Sequence, residues 1–251
     1  MITPVRTAPL PRPFLVGVLL ASVLLALALP ALADIDVSTL RSATKGSAAS
    51  KSSATAPAAK QPAAAPAQAE ETPEDWYGRG LALDRPGASG DDLASASYWY
   101  QKAAQSGHTD AQVNLALMYA EGRGVPFDGL EAARWYRRAA EAGDVRAQYA
   151  LGLMYHLGQG VGQDYADAIR WYETAARQGD PNAMNNMAFM YGMGEGVEQS
   201  NIEAYAWFAL AASRGNADAA ENRDLAETEM TPEERRRARA RYTQLEEQLG
   251  L

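Results

Sequence analysis

Residues 147–161 read Ala147-Gln148-Tyr149-Ala150-Leu151-Gly152-Leu153-Met154-Tyr155-His156-Leu157-Gly158-Gln159-Gly160-Val161, and residues 171–179 read Trp171-Tyr172-Glu173-Thr174-Ala175-Ala176-Arg177-Gln178-Gly179. Ala147, Leu151, Met154 and Tyr155 recur at the spacing that puts apolar groups on one side of a helix. Gly158-Gln159-Gly160-Val161 then breaks the pattern as a turn. A second helix from about Asp164 to Arg177 buries Ala168, Trp171, Tyr172, Ala175 and Ala176. Gly179 stands where a left-handed cap residue is expected, and Asp180-Pro181 supply the N-cap and first position of the next helix.

The same unit recurs along the chain. Trp99, Trp135, Trp171 and Trp207 are 36 residues apart, each followed by an aromatic (Tyr100, Tyr136, Tyr172, Phe208), then an Ala pair and a Gly. The turns Gly122-Arg123-Gly124-Val125 and Gly194-Glu195-Gly196-Val197 match residues 158–161. A fixed period of this length means stacked helix pairs, each needing its neighbours to bury its apolar face. In register the repeats cover 75–110, 111–146, 147–182 and 183–218. Gly80 and Gly152, with Ala116 and Ala188 at the same point, let a neighbouring helix approach closely around the Trp-Tyr pair. The first repeat is worn: its turn reads Pro86-Gly87-Ala88-Ser89, as suits a terminal unit with one face in solvent. After 218 the pattern fades. Thr231-Pro232-Glu233-Glu234 starts a last helix that places Ala238, Tyr242, Leu245 and Leu249 on one side, so 219–251 form a helical cap.

The first third of the chain is of another kind. Arg6 and Arg12 precede a 16-residue apolar run, Phe14 to Leu29, and Ala31-Leu32-Ala33 follows as a small-residue cleavage site. Residues 1–33 therefore read as an export signal cleaved before Asp34, with retention as an anchor the open alternative. The run is shorter than the roughly 20 residues that span a bilayer. Residues 34–74, rich in Ala, Ser, Pro and Lys, bury too little to offset ordering entropy and read as a disordered linker.

The chain has no cysteine and a formal charge of −8, which becomes −10 once Arg6 and Arg12 leave with the signal. A disulfide framework, thiolate metal sites and cysteine nucleophiles are thereby excluded, as is a lipid-modified N-terminal cysteine. An acidic exported chain is a poor ligand for nucleic acid, and no membrane insertion is expected after signal cleavage.

The pattern Ala-x3-Leu-(Gly/Ala)-x2-Tyr-x2-Gly-x-Gly-Val, then Trp-Tyr-x2-Ala-Ala-x2-Gly, strongly resembles the Sel1-like repeat, a relative of the tetratricopeptide repeat. The resemblance covers 75–222. It implies an all-α, right-handed α-solenoid of helix-turn-helix repeats acting as an adaptor, and exported bacterial members take part in envelope signalling or host interaction. A cysteine-rich exported branch has been linked to penicillin binding; this chain lacks those cysteines.

Other candidate chemistry is thin. The turn glycines follow helices rather than a strand, so tight turning explains them better than a phosphate cradle. Ser42-Ala43-Thr44-Lys45 matches a Ser-x-x-Lys nucleophile motif but sits in the linker, where nothing rigid could orient it. His108 and His156, the two histidines, lack metal-ligand spacing. His108 takes an inter-repeat N-cap position. Glu233, Glu234, Glu246 and Glu247 flank Arg235, Arg236, Arg237, Arg239 and Arg241, so pairing on a solvated helix face accounts for that cluster. No catalytic residue, metal or cofactor is expected.

One stripe calls for a function. Positions 3 and 7 of each first helix point away from its core side, yet they read Tyr77 and Leu81, Val113 and Leu117, Tyr149 and Leu153, Asn185 and Phe189. The tetratricopeptide resemblance puts them on a concave surface that receives partner segments, with Arg146 and His156 alongside. The expected function is thus an exported, non-enzymatic adaptor that docks a protein or peptide segment there. Two alternatives stay open: the stripe packs against neighbouring repeats, or the chain is a cell-wall or β-lactam hydrolase by analogy with the cysteine-rich branch.

Overall fold

A computed structural model describes residues 71–251, and the expectations for the signal, the Ser42–Lys45 motif and most of the linker lie outside the described residues. Ten α-helices and no strand are found among the described residues. In chain order they are α1 (Pro73–Leu83), α2 (Gly90–Gln105), α3 (Thr109–Glu121), α4 (Gly129–Glu141), α5 (Val145–Leu157), α6 (Tyr165–Arg177), α7 (Pro181–Met193), α8 (Asn201–Ser213), α9 (Ala217–Thr228) and α10 (Pro232–Leu249). The odd-numbered helices through α9 are the first helices of the repeat.

Each boundary has a local cause. First helices start on His108, Asp180 and Asn216, whose side chains accept from the backbone N–H three residues on. Second helices start on Asp128, Asp164 and Ser200 in the same way. A cap of this kind is worth about 0.5–2 kcal/mol. The cap at Thr231 forms a reciprocal box with Glu234. The helix α1 begins inside the stretch assigned to the linker, because Thr72 and Asp75 make the same box ahead of Pro73.

The helices divide into two compact units. Among described residues the first comprises 71–150 with 159–161, and the second comprises 151–158 with 162–251.

In the first unit α1 packs on α2, α2 on α3 and α3 on α4. Its centre is Tyr100, Leu115, Met118 and Tyr136, all essentially inaccessible. A Cβ on Gly80 would lie 2.5 Å from the Tyr100 ring, so only glycine admits that ring. The buried Gln112 and Gln148 amides each donate to a second-helix carbonyl, Ala104 O and Ala140 O, both at 3.2 Å. The terminal repeat covers its tryptophans with cations: Lys102 Nζ lies 4.1 Å from the Trp76 ring centre and the Arg79 guanidinium 4.6 Å from that of Trp99.

In the second unit α6 packs on α7, α7 on α8, and α8 on both α9 and α10. Tyr205, Ala226, Met230 and Ala238 close its end, with Ile202 and Ala209 against them. A Cβ on Gly152 would lie 2.7 Å from the Tyr172 ring, so Gly152 admits that ring as Gly80 admits Tyr100. The fading sequence after 218 still folds in register, since Asn216 caps α9 just as Asp180 caps α7, 36 residues earlier.

Candidate functional site

The turn glycines are consumed by packing. Gly124 and Gly160 have φ of +68° and +70°, and a Cβ on either would meet backbone at 2.3 Å (Leu93 O) or 2.1 Å (Gly129 C). Their backbone is pressed onto the start of the preceding second helix, which leaves no cradle for a phosphate. No cluster of three or more His, Cys, Asp or Glu with metal-holding geometry exists among the described residues. Four of the five α10 arginines have partners: Arg236 with Glu233, Arg239 with Glu227, Arg241 with Glu203, and Arg235 with Met230 O.

The stripe of the first helices is not uniform. In the first unit Leu81 is 42% exposed, whereas Tyr77, Val113 and Leu117 are buried, at 6%, 3% and 6% exposure. These three serve the core and offer no free surface, so for them the packing alternative holds. Tyr77 stacks on His108 with ring centres 4.4 Å apart, and His108 Nε2 meets Glu74 at 2.9 Å. Burial pushes the Tyr77 hydroxyl up to about 12, with the nearby Asp110 carboxylate adding to it. Arg146 is partly buried and bonds both Asp144 oxygens and Asp110. Burial opposes its charge, but Asp144 and Asp110 outweigh that and hold its pKa above the usual value. It is a structural cation rather than a free anion receptor. Tyr149 is half-buried.

In the second unit Leu153, His156, Asn185 and Phe189 are all half-buried. Phe189 meets Phe208 edge-on at 5.1 Å, which anchors the ring while leaving part of it open. The Asn185 carbonyl oxygen has no hydrogen-bond partner. His156 is held on both ring nitrogens, by Glu195 at 2.7 Å and by the Tyr172 hydroxyl at 3.3 Å, and Asn186 donates to that hydroxyl at 3.0 Å.

The His156 cluster has a counterpart in the first unit that sequence reasoning missed. Tyr100 donates to Asp84 at 3.4 Å, Arg123 bonds Asp84, and Asn114 lies near enough to the Tyr100 hydroxyl to counter part of the rise that burial imposes on its pKa. Asp84, Tyr100, Asn114 and Arg123 stand 72 residues before His156, Tyr172, Asn186 and Glu195. Each cluster ties one repeat to the next. At the equivalent points between them, 120, 150 and 159, the chain has Ala120, Ala150 and Gln159, none of which carries a charge. A comparison at twice the repeat length would have found it.

Leu225 was missed too. It lies 36 residues after Phe189, on α9, and is 45% exposed. Carrying the register past 218 would have added it to the stripe.

Comparison with known proteins fits this geometry. A family model described as Sel1 repeat matches residues 75–108, 109–144, 145–180 and 181–216. The chain belongs to the Sel1 repeat family, whose members are generally protein-interaction scaffolds and typically non-catalytic. It is similar to c5321, a protective antigen of uropathogenic Escherichia coli strains displaying an SLR fold, at 35% identity and a TM-score of 0.55, over 59% of this chain and 32% of that one. A Sel1 repeat protein from Oxalobacter formigenes gives 36% identity and a TM-score of 0.55, over 59% and 60%. The chain thus spans about a third of the first relative and three fifths of the second. No curated protein matches. The all-α solenoid of helix-turn-helix repeats expected from the sequence is the fold of these relatives.

Proposed function

We propose that this protein is an exported, non-catalytic adaptor that docks a partner protein segment on the first-helix side of its repeats, the side that resemblance to tetratricopeptide repeats makes concave. The observation that carries the reading is the unspent apolar surface of those helices. Leu81 and Leu225 are exposed, and Leu153 and Phe189 are half open between them in sequence. A stripe needed only for the core would be closed throughout, as Val113 and Leu117 are. Family membership supports the adaptor role. The basic start, apolar run and Ala31-Leu32-Ala33 site support export to the periplasm or beyond. No helix among the described residues is long and apolar enough to cross a membrane.

The test is site-specific photocrosslinking in intact cells of a bacterial host of the protein. A photoreactive residue at Phe189 or Leu225 should capture a defined partner, whereas one at the exposed Arg170 of α6 should not. Capture from Arg170 alone would move the interface to the second helices. Turnover of a chromogenic β-lactam, abolished by a single Ser substitution, would replace the adaptor with a hydrolase. Fractionation and N-terminal sequencing check export, with Asp34 the expected first residue.

A further inference from the structure

Within the second unit the first helices build a surface whose charge is one-sided. Leu153, Phe189 and Leu225 occupy the same point on α5, α7 and α9, spaced by 36 residues, and form an apolar row. The helix α7 carries no charged residue at all. On α9, Ala219 and Ala226 are buried, and Ala226 packs in the end cluster with Met230. Asp218, Glu221 and Leu225 share the other side of that helix and are exposed. Among the described residues, no side-chain hydrogen bond or ion pair engages Asp218 or Glu221. The lone cation of α9, Arg223, is spent on its neighbour Asp224 at 2.6 Å. His156, at the row's other edge, is spent on Glu195.

The imbalance is confined to the first helices. Across α1, α3, α5, α7 and α9 there are eight Asp and Glu against three Lys and Arg, whereas the second helices α2, α4, α6 and α8 hold seven and six. Each of the three first-helix cations bonds a carboxylate: Arg79 with Glu71, Arg146 with Asp110 and Asp144, Arg223 with Asp224. An acidic visitor would find no free cation on this face, and its own charge would be repelled by Asp218 and Glu221.

We infer that the partner of the second unit is a protein segment carrying Lys or Arg next to large apolar side chains. Its apolar groups cover Leu153, Phe189 and Leu225, and its cations pair with Asp218 and Glu221. This rests on the adaptor reading and names the chemistry of what is docked. Paired charges at the rim set preference and association rate, while the apolar row supplies the area.

The experiment uses the protein purified after expression of the full chain. Two short fluorescent peptides of identical apolar residues, one with Lys and one with Glu at the intervening positions, are titrated and followed by fluorescence anisotropy. The Lys peptide should bind at least about tenfold more tightly than the Glu peptide. Asp218→Lys with Glu221→Lys should cancel or reverse that preference, and Leu225→Ser should weaken binding of the Lys peptide. Glu246→Lys with Glu247→Lys, the same charge change on α10, should leave it within about twofold. Circular dichroism confirms folding, since every substituted residue is solvent-accessible. Equal binding of both peptides, or an equal loss in the α10 variant, overturns the charge rule. If neither peptide binds although the Phe189 photocrosslink still captures a partner, the basic-segment rule falls and docking stands. If that crosslink captures nothing, the docking reading itself fails.

Discussion

Asp84 and His156 occupy the same point of the repeat 72 residues apart, and each bonds a buried tyrosine and a turn residue of opposite charge type. In the first unit the acid is Asp84, just after α1, and the base, Arg123, is in the turn; in the second unit the order is reversed, with His156 at the end of α5 and Glu195 in the turn. The fold conserves the bond and not its polarity.

Reversing one cluster should therefore be tolerated where breaking it is not. Arg123→Ala leaves the Asp84 carboxylate, with 11% side-chain exposure, without its cation and should cost about 1–3 kcal/mol. Asp84→Arg combined with Arg123→Asp should recover at least half of that loss. Urea denaturation of the single and double variants gives the coupling directly; additive losses would mean that the two side chains act independently.

Glycine substitutions in α1 should differ in sign. Gly78 is exposed and a Cβ there meets nothing within 4 Å, so Gly78→Ala should stabilise by about 0.5–1 kcal/mol through helix propensity. At Gly80 the same methyl would lie 2.5 Å from the Tyr100 ring, and overpacking of about 1–3 kcal/mol should exceed that gain. Thermal melting of the two variants decides it, and stabilisation by Gly80→Ala would show that the ring can yield.

The apolar stripe should split by burial. Leu117→Ala removes a side chain at 6% exposure and should cost about 2–4 kcal/mol. Leu81→Ala, at 42% exposure, should cost less than about 0.5 kcal/mol. Similar losses at both positions would mean that Leu81 is covered in solution.

Alkaline pH should destabilise the first unit. The Tyr77 hydroxyl is raised from 10.0 to about 12 by burial, with Asp110 contributing. A neutral acid whose folded pKa is raised stabilises the fold below its unfolded pKa, and that contribution disappears as pH climbs through the folded one. Stability should thus fall between pH 10.0 and about 12, with burial raising Tyr100 and Tyr136 in the same direction. Tyr77→Phe should flatten part of that slope in urea midpoints measured across the range. An unchanged slope would place the alkaline sensitivity elsewhere.

The helix pairs were readable because what specifies them is local. The 36-residue spacing of the tryptophans, the glycine turns and the caps at His108, Asp180 and Thr231 each act within a few residues, and the helices begin where those signals stand. The core side of α5 was legible for the same reason: helical periodicity puts Ala147, Leu151 and Met154 together, and they are buried. The small-residue position at Gly80 and Gly152 likewise announced a close neighbour around the Trp-Tyr pair, and the ring that lies against it is the tyrosine of that pair.

Exposure on the opposite side could not be read in that way. Periodicity states which way a side chain points from its own helix, whereas its cover comes from residues elsewhere in the chain. Tyr77 is closed by His108, 31 residues on, and Phe189 is anchored by Phe208, 19 residues on. The two polar clusters likewise join residues 16 and 39 positions apart, a pairing that exists only once the repeats are stacked. Short-range torsional and capping preferences thus settled the helices and their order in the sequence itself. The tertiary structure alone decided which apolar groups stay open, because burial is a property of the neighbours that packing brings and not of the residue.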